Sequence, residues 1–184
     1  MPDLLNIAAA ALAQVRCERP LIHIITNFVT MNDVANTTLA LGARPIMAHA
    51  LEEVEEVACA ARALVLNLGT PSRERGEAML RAGQAANACA HPVVLDPVGV
   101  GASASRRDAI WQLLGALRVT ILRGNAGEIG TLAGVAGAQS GVDASGAQFE
   151  PLSLVRSLAI RQRAVVILTG ATDFVSDGAR QAAV

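Results

Sequence analysis

Val93-Val94-Leu95-Asp96-Pro97-Val98-Gly99-Val100-Gly101-Ala102 is a short β-branched run closed by an aspartate, followed by a glycine turn and then a helical pattern over residues 106–114. An apolar run of this length between turn residues reads as a buried strand of a parallel sheet. An Asp that closes such a strand faces the crevice where α/β proteins hold ligands, and the glycines let backbone N–H groups approach an anion. Gly99, Gly101 and Ala104 also fit a G-x-G-x-x-A pattern. Asp96-Pro97 separates strand from glycines, and that pattern belongs after the first strand of such a fold, so the match carries little weight. A turn that merely reverses the chain is the competing reading.

The alternation extends both ways. Upstream, residues 63–67 read as a strand and 72–89 as a helix, with Glu77 four residues before Arg81. Before them come a strand at 21–25, a helix at 31–41 stopped by Gly42, a short strand at 45–47, and a helix at 51–62. Glu52, Glu53, Glu55 and Glu56 crowd the start of that last helix, where its dipole favours negative charge. Asp3 is placed to cap a first helix over 4–16, with Leu5, Ala8, Ala9 and Leu12 on one face. Downstream, 119–122 and 164–169 read as strands, and helices start near Ala126 and at 152–161. Residues 134–147 are a Gly/Ser/Ala-rich loop, and 174–176 with 179–184 form a hairpin about Asp177-Gly178. The whole is one α/β domain over 1–184: a mostly parallel central sheet flanked by helices on both faces. The sequence stops inside the last of these strands, so a truncated domain is expected.

Composition narrows the function. Apolar residues make up 52% of the 184 and charged residues 17%, which excludes a disordered chain and favours a buried subunit interface. A net charge of −1 offers no footprint for nucleic acid or an anionic membrane. All 15 basic residues are arginine, so phosphate-loop, Schiff-base and general-base lysines are all excluded. Cys17, Cys59 and Cys89 lack metal-ligand spacing and sit in alanine-rich helical patterns, where a free thiol acts as a small hydrophobe. That sparse, odd count, with no signal peptide, points to a reducing cytoplasm.

Four places can carry chemistry. Thr26-Asn27 follows a strand, and an Asn amide suits a heterocycle with a ring nitrogen, or a capped turn. Asp96 and its glycines are the second. In Arg123-Gly124-Asn125-Ala126-Gly127-Glu128, Arg suits phosphate and Asn with Glu suits the water shell of Mg²⁺; the same residues also spell a helix capping box. Thr169-Gly170, with Asp173 beyond, ends a strand where a hydroxyl and an N–H can meet phosphate. His23 reads as a satisfied core histidine, His91 as a turn residue before Pro92, and His49 as a residue near the end of the second strand, within reach of a ligand but not catalytic.

Taken in order, Ile25-Thr26-Asn27-Phe28-Val29, Pro45-Ile46-Met47-Ala48-His49-Ala50, Leu66-Asn67-Leu68-Gly69-Thr70, Asp96 to Ala102, Arg123-Gly124-Asn125 with Glu128, and Thr169-Gly170 with Asp173 resemble the hydroxyethylthiazole kinases. These are members of the ribokinase-like superfamily. The resemblance implies a three-layer ribokinase-like sandwich and ATP- and Mg²⁺-dependent phosphorylation of 4-methyl-5-(2-hydroxyethyl)thiazole in thiamine salvage. It also implies a homotrimer with active sites at subunit boundaries. By motif position, Asn27, Met47 and Gly69 meet the thiazole alcohol, Arg123 and Thr169 meet ATP, and Asp96, Asn125 and Glu128 organise the metal. The family's Gly-Thr-Gly-Cys loop, which opens a helix and holds the transferred phosphoryl group, has no match here. The resemblance therefore covers the N-terminal two-thirds of the family pattern, and implies a chain of low activity that tends to associate. A non-catalytic binding or oligomerisation remnant and a hydroxymethylpyrimidine-type kinase are the alternatives.

Overall fold

A computed structural model describes residues 4–135 and 150–184. Asp3 and most of the expected loop at 134–147 lie outside the described residues. The elements run α1 (Leu4–Glu18), β1 (Leu21–Ile25), α2 (Met31–Leu41), β2 (Arg44–Ile46), α3 (Val54–Ala60), β3 (Ala63–Asn67), α4 (Arg73–Ala88) and β4 (Val93–Asp96). They continue with α5 (Ala104–Ala116), β5 (Ile121–Asn125), α6 (Ala126–Ala133), α7 (Pro151–Gln162), β6 (Val165–Thr169), β7 (Phe174–Ser176) and β8 (Gln181–Ala183). One eight-stranded sheet has the order β2-β1-β3-β4-β5-β6-β7-β8. The pairs from β2 to β6 are parallel, and the β7–β8 hairpin adds two antiparallel strands.

The chain steps one way from β1 to β2 and the other way from β3 onward. Right-handed crossovers then put α2 over one face and α3 to α7 over the other. Burial follows that division. Leu64, Leu66, Val93, Leu95, Leu122, Val166 and Leu168 are buried under the larger helical layer. Their neighbours Val65, Val94, Ile121 and Val165 point to the opposite face, align across the sheet and are only half-buried. The expectation of helices on both faces therefore holds fully for one face and only partly for the other. Neither α1 nor α2 fully buries a residue: of the face expected of the first helix, Leu5, Ala8 and Ala9 are exposed and Leu12 is half-buried.

Local chemistry explains the ends of these elements. Gly42 takes the left-handed conformation at φ 101°, and its N–H returns to the last turn of α2, a geometry that glycine adopts without strain. Helix α3 starts later than expected, at Val54, with Glu55 and Glu56 in its first turn. Strand β5 runs three residues further than its apolar pattern, because Arg123, Gly124 and Asn125 pair with Ile167, Leu168 and Thr169.

The reading of the cysteines needs correction. Cys59 and Cys89 form a disulfide between the C-terminal ends of α3 and α4, and Cys17 is free and exposed. The two helices lie side by side, and only that packing brings residues 30 apart in sequence together. Closing such a loop restricts the unfolded chain and is worth about 2–4 kcal/mol. Cys59→Ser, or a thiol reductant, is expected to lower the urea-unfolding free energy by that amount. Identical unfolding curves with and without reductant would show that the bridge does not form in solution.

Candidate active site

The eight residues singled out from the sequence all lie at the carboxyl edge of the sheet. Asn27 follows β1, Met47 follows β2 and Gly69 follows β3. Asp96 closes β4, Arg123 and Asn125 close β5, Glu128 stands in the first turn of α6, and Thr169 closes β6. Strands sit about 4.8 Å apart, so the edge from β2 to β6 spans about 24 Å. The β1–β3 junction, where strand order reverses, is the position at which open α/β sheets form a crevice.

Hydrogen bonds tie this edge together. Asn27 Nδ2 donates to Asn67 Oδ1 at 3.1 Å, and Asn67 Nδ2 donates to Asp96 Oδ2, also at 3.1 Å. Arg123 Nη1 approaches the same Asp96 oxygen at 3.6 Å from the other side. Asn27 Oδ1 accepts from the N–H groups of Val29 and Thr30, both at 3.0 Å, so the turn expected of this residue is present. Gly69 packs directly on Asn27: a Cβ there would fall 2.6 Å from Asn27 Cβ. Met47 borders a small gap together with Thr26, Phe28, His49 and Arg75.

Glu128 uses both carboxylate oxygens. Oε2 accepts from Asn125 N–H at 2.9 Å, while Asn125 Oδ1 accepts from Glu128 N–H at 2.9 Å, which completes a capping box. Oε1 accepts from Gly99 N–H at 2.9 Å and so fastens the glycine turn after Asp96 to the start of α6. The cap and the site are made by the same atoms. Burial first, then the nearby Glu128 charge, pushes the Asp96 pKa up to about 6 against the pull of Arg123 and the Asn67 amide. Thr169 Oγ1 donates to the Gly124 carbonyl at 3.3 Å, and Asp173 Oδ1 accepts from Gly170 N–H at 3.0 Å.

Asn67, quoted above within the Leu66-to-Thr70 motif, is the middle link between Asn27 and Asp96. Two further parts of the candidate site escaped the sequence. Arg106 donates from Nη1 to the carbonyls of Val98, at 2.9 Å, and Leu68, at 3.3 Å, and so joins the loops after β3 and β4. Arg75 is 5% exposed in the first turn of α4, where its sequence context of alternating charges reads as solvated surface. Nothing in their spacing marks these roles, because each depends on loops from different strands. His23 is buried as expected but half satisfied: Nε2 pairs with the Ala48 carbonyl at 2.7 Å, and Nδ1 has no partner among the described residues. Burial holds its pKa below the usual imidazole value.

Comparison with known proteins shows the family. The model of the hydroxyethylthiazole kinase family matches residues 12–184. A hydroxyethylthiazole kinase of Methanocella arvoryzae is 51% identical over 169 residues, covering 92% of this chain and 64% of the relative. Another, from Methanoculleus marisnigri, is 52% identical over 174 residues, covering 95% and 62% respectively. The solved hydroxyethylthiazole kinase structure from Pyrococcus horikoshii OT3 superposes with a TM-score of 0.87 at 43% identity, over 97% of this chain and 66% of that one. A putative ribokinase II from E. coli, solved in complex with ATP and Mg²⁺, superposes with a TM-score of 0.54 at 12% identity, a likeness of fold alone. The chain spans slightly less than two thirds of the length of these kinases. With its ribokinase-like sheet, its family match from residue 12 to residue 184 and relatives at about half identity, the chain belongs to the hydroxyethylthiazole kinase family.

Proposed function

We propose that the chain binds ATP at the β5–β6 end of this edge and 4-methyl-5-(2-hydroxyethyl)thiazole at the β1–β3 end, and passes the γ-phosphoryl group to the alcohol. The order of side chains along the edge carries this reading. Asn27, Met47 and Gly69 follow β1, β2 and β3 on one side, Asp96 closes β4 in the middle with Glu128 reaching toward it from α6, and Arg123, Asn125 and Thr169 close β5 and β6 on the other. An amide, a thioether and a bare backbone suit a small heterocycle. A guanidinium and a hydroxyl suit phosphate oxygens.

The centre fits Mg²⁺. Asp96 and Glu128 are close enough to repel, and the penalty on a charged Asp96 is what a cation relieves. Mg²⁺ keeps several of its waters and needs only one or two carboxylates. Among the described residues no cluster of three or more His, Cys, Asp or Glu side chains surrounds a common point, as an all-protein metal cage would require. Asp96 and Glu128 would hold the ion, with Asn125 ordering its water shell. Once bound, Mg²⁺ supplies neutralisation of the charge on the phosphate oxygens. The protein's own contribution is to set the hydroxyl and the γ-phosphate in line, through the fixed spacing of β3, β4 and β5.

Arg123→Ala is expected to weaken ATP binding by about one to two decades while sparing the thiazole alcohol, since a charge-assisted contact is worth about 1.5–3 kcal/mol. The side chain is half exposed, so the fold survives its loss. Nucleotide titration reads the effect, and unchanged affinity removes Arg123 from the site.

The exposed apolar residues Ile7, Phe28, Val29 and Leu39 favour association with another surface, and the family resemblance makes a homotrimer the form to test. Sedimentation equilibrium tests it, and a monomer at micromolar concentration refutes it. ATP as co-substrate fits a cytoplasmic protein, and cell fractionation checks the location; no described helix is long and apolar enough to cross a membrane. The function itself is tested by incubating the chain with ATP, Mg²⁺ and the thiazole alcohol and following ADP and thiazole phosphate, with binding of each ligand measured separately. Binding of neither ligand overturns the reading. Binding of both without product places the phosphoryl-holding donors outside these residues.

A further inference from the structure

We infer that Arg75 is a positioning residue that locks the loops after β1 and β3 into one wall of the alcohol site and so sets the affinity for the ring that binds there. The inference rests on the proposed function for the identity of that ring. Arg75 Nη1 donates to Thr70 Oγ1 at 2.9 Å and to the Thr70 carbonyl at 3.3 Å. Phe28 N–H donates to the same Thr70 Oγ1 at 3.3 Å. The guanidinium carbon lies 4.4 Å from the centre of the Phe28 ring, a cation–π contact. The ring meets His49 edge-on at 6.5 Å. One buried side chain thus holds Phe28, beside Asn27, and Thr70, beside Gly69.

Stability alone does not account for an arginine at this position. Arg75 forms no ion pair among the described residues, and burial pushes its pKa down. It stands in the first turn of α4, the end of a helix that disfavours cations. Thr70 has a left-handed backbone at φ 42°, a strained conformation for a β-branched residue. Such costs persist where the surroundings over-determine a geometry, and here that geometry is the floor between Asn27, Met47 and Gly69. A lysine lacks both the planar fork and the flat face that these contacts use.

The test compares Arg75→Met, Arg75→Lys and Phe28→Leu with the parent chain by two measurements. Calorimetric titration gives the Kd of the thiazole alcohol and of ATP. Amide hydrogen exchange gives the opening of residues 27–30 and 67–70 against the core strands. Both Arg75 variants are expected to raise the alcohol Kd at least tenfold, to leave the ATP Kd within twofold, and to speed exchange in the two loops only. Phe28→Leu, at an exposed side chain, is expected to fold and to reproduce part of the loss, and the double variant Arg75→Met/Phe28→Leu to be no worse than Arg75→Met. Unchanged loop exchange, equal losses for both ligands, or full rescue by Lys would each overturn the inference. A parent chain that binds ATP but no thiazole alcohol overturns the substrate reading instead, and loop exchange then still decides whether Arg75 holds the wall.

Discussion

Asp96→Asn is expected to cut phosphoryl transfer by about 10²–10³-fold and, in the absence of metal, to stabilise the chain at pH 7–8 by about 1–3 kcal/mol. The rate loss follows from removing the carboxylate proposed to hold the cation. The stability gain follows from the raised pKa of about 6, against 3.8 for an ordinary aspartate. A carboxyl raised in this way favours the fold most fully when protonated. Its contribution is complete below about pH 3.8 and is lost as pH rises through about 6. Asparagine does not titrate, and its Oδ1 still accepts the Asn67 amide. The variant therefore keeps at neutral pH what the parent loses. Urea unfolding at pH 5 and pH 7.5 in EDTA checks this, and a variant less stable than the parent at pH 7.5 sinks it.

Gly69→Ala should strike the other end of the edge. The added methyl meets Asn27 Cβ at 2.6 Å and Asn67 Oδ1 at 3.0 Å. Asn27 Cβ is fixed to the backbone and Asn67 Oδ1 is held by the Asn27 amide and the Gly69 N–H, so a loop must move. Displacing reacting groups by about 1 Å costs about 10²-fold in rate, and overpacking costs about 1–3 kcal/mol. Gly76→Ala in α4 is the control, because a methyl there meets nothing within 4 Å. That change is expected to stabilise by about 0.5–1 kcal/mol, with catalysis untouched. Turnover and unfolding of both variants, measured side by side, separate a crowded site from a general intolerance of glycine replacement. Equal effects of the two would discard the argument.

Much of this architecture was legible because it is local. The helix at 31–41 with its glycine stop, the strand ending at Asp96, the start of α6 and the Asp177-Gly178 hairpin each rest on signals within a few residues. The placement of all eight candidate residues on one edge follows from strand–loop–helix alternation, although their roles came from resemblance. What escaped depends on contacts between distant segments. The extension of β5 is a register with β6, the disulfide is a docking of α3 on α4, and Arg75 looks like surface until the loop after β1 folds over it. The first helix failed in the opposite sense. Its apolar stripe is real, but its packing on α2 leaves no residue of the helix fully buried.

The two margins of the sheet limit how copies of this chain can add to one another. At one margin β2 has three residues, with Pro45 lacking an N–H and Arg44 exposed. At the other, β8 is equally short and its turn carries the Asp177–Arg180 ion pair at 2.8 Å. Short, charged or proline-bearing margins are poor templates for a further strand. Strand-by-strand growth is thereby disfavoured at the β2 margin. The exposed apolar residues of α1 and α2 offer helix-to-helix packing instead, a route compatible with rings that close on themselves.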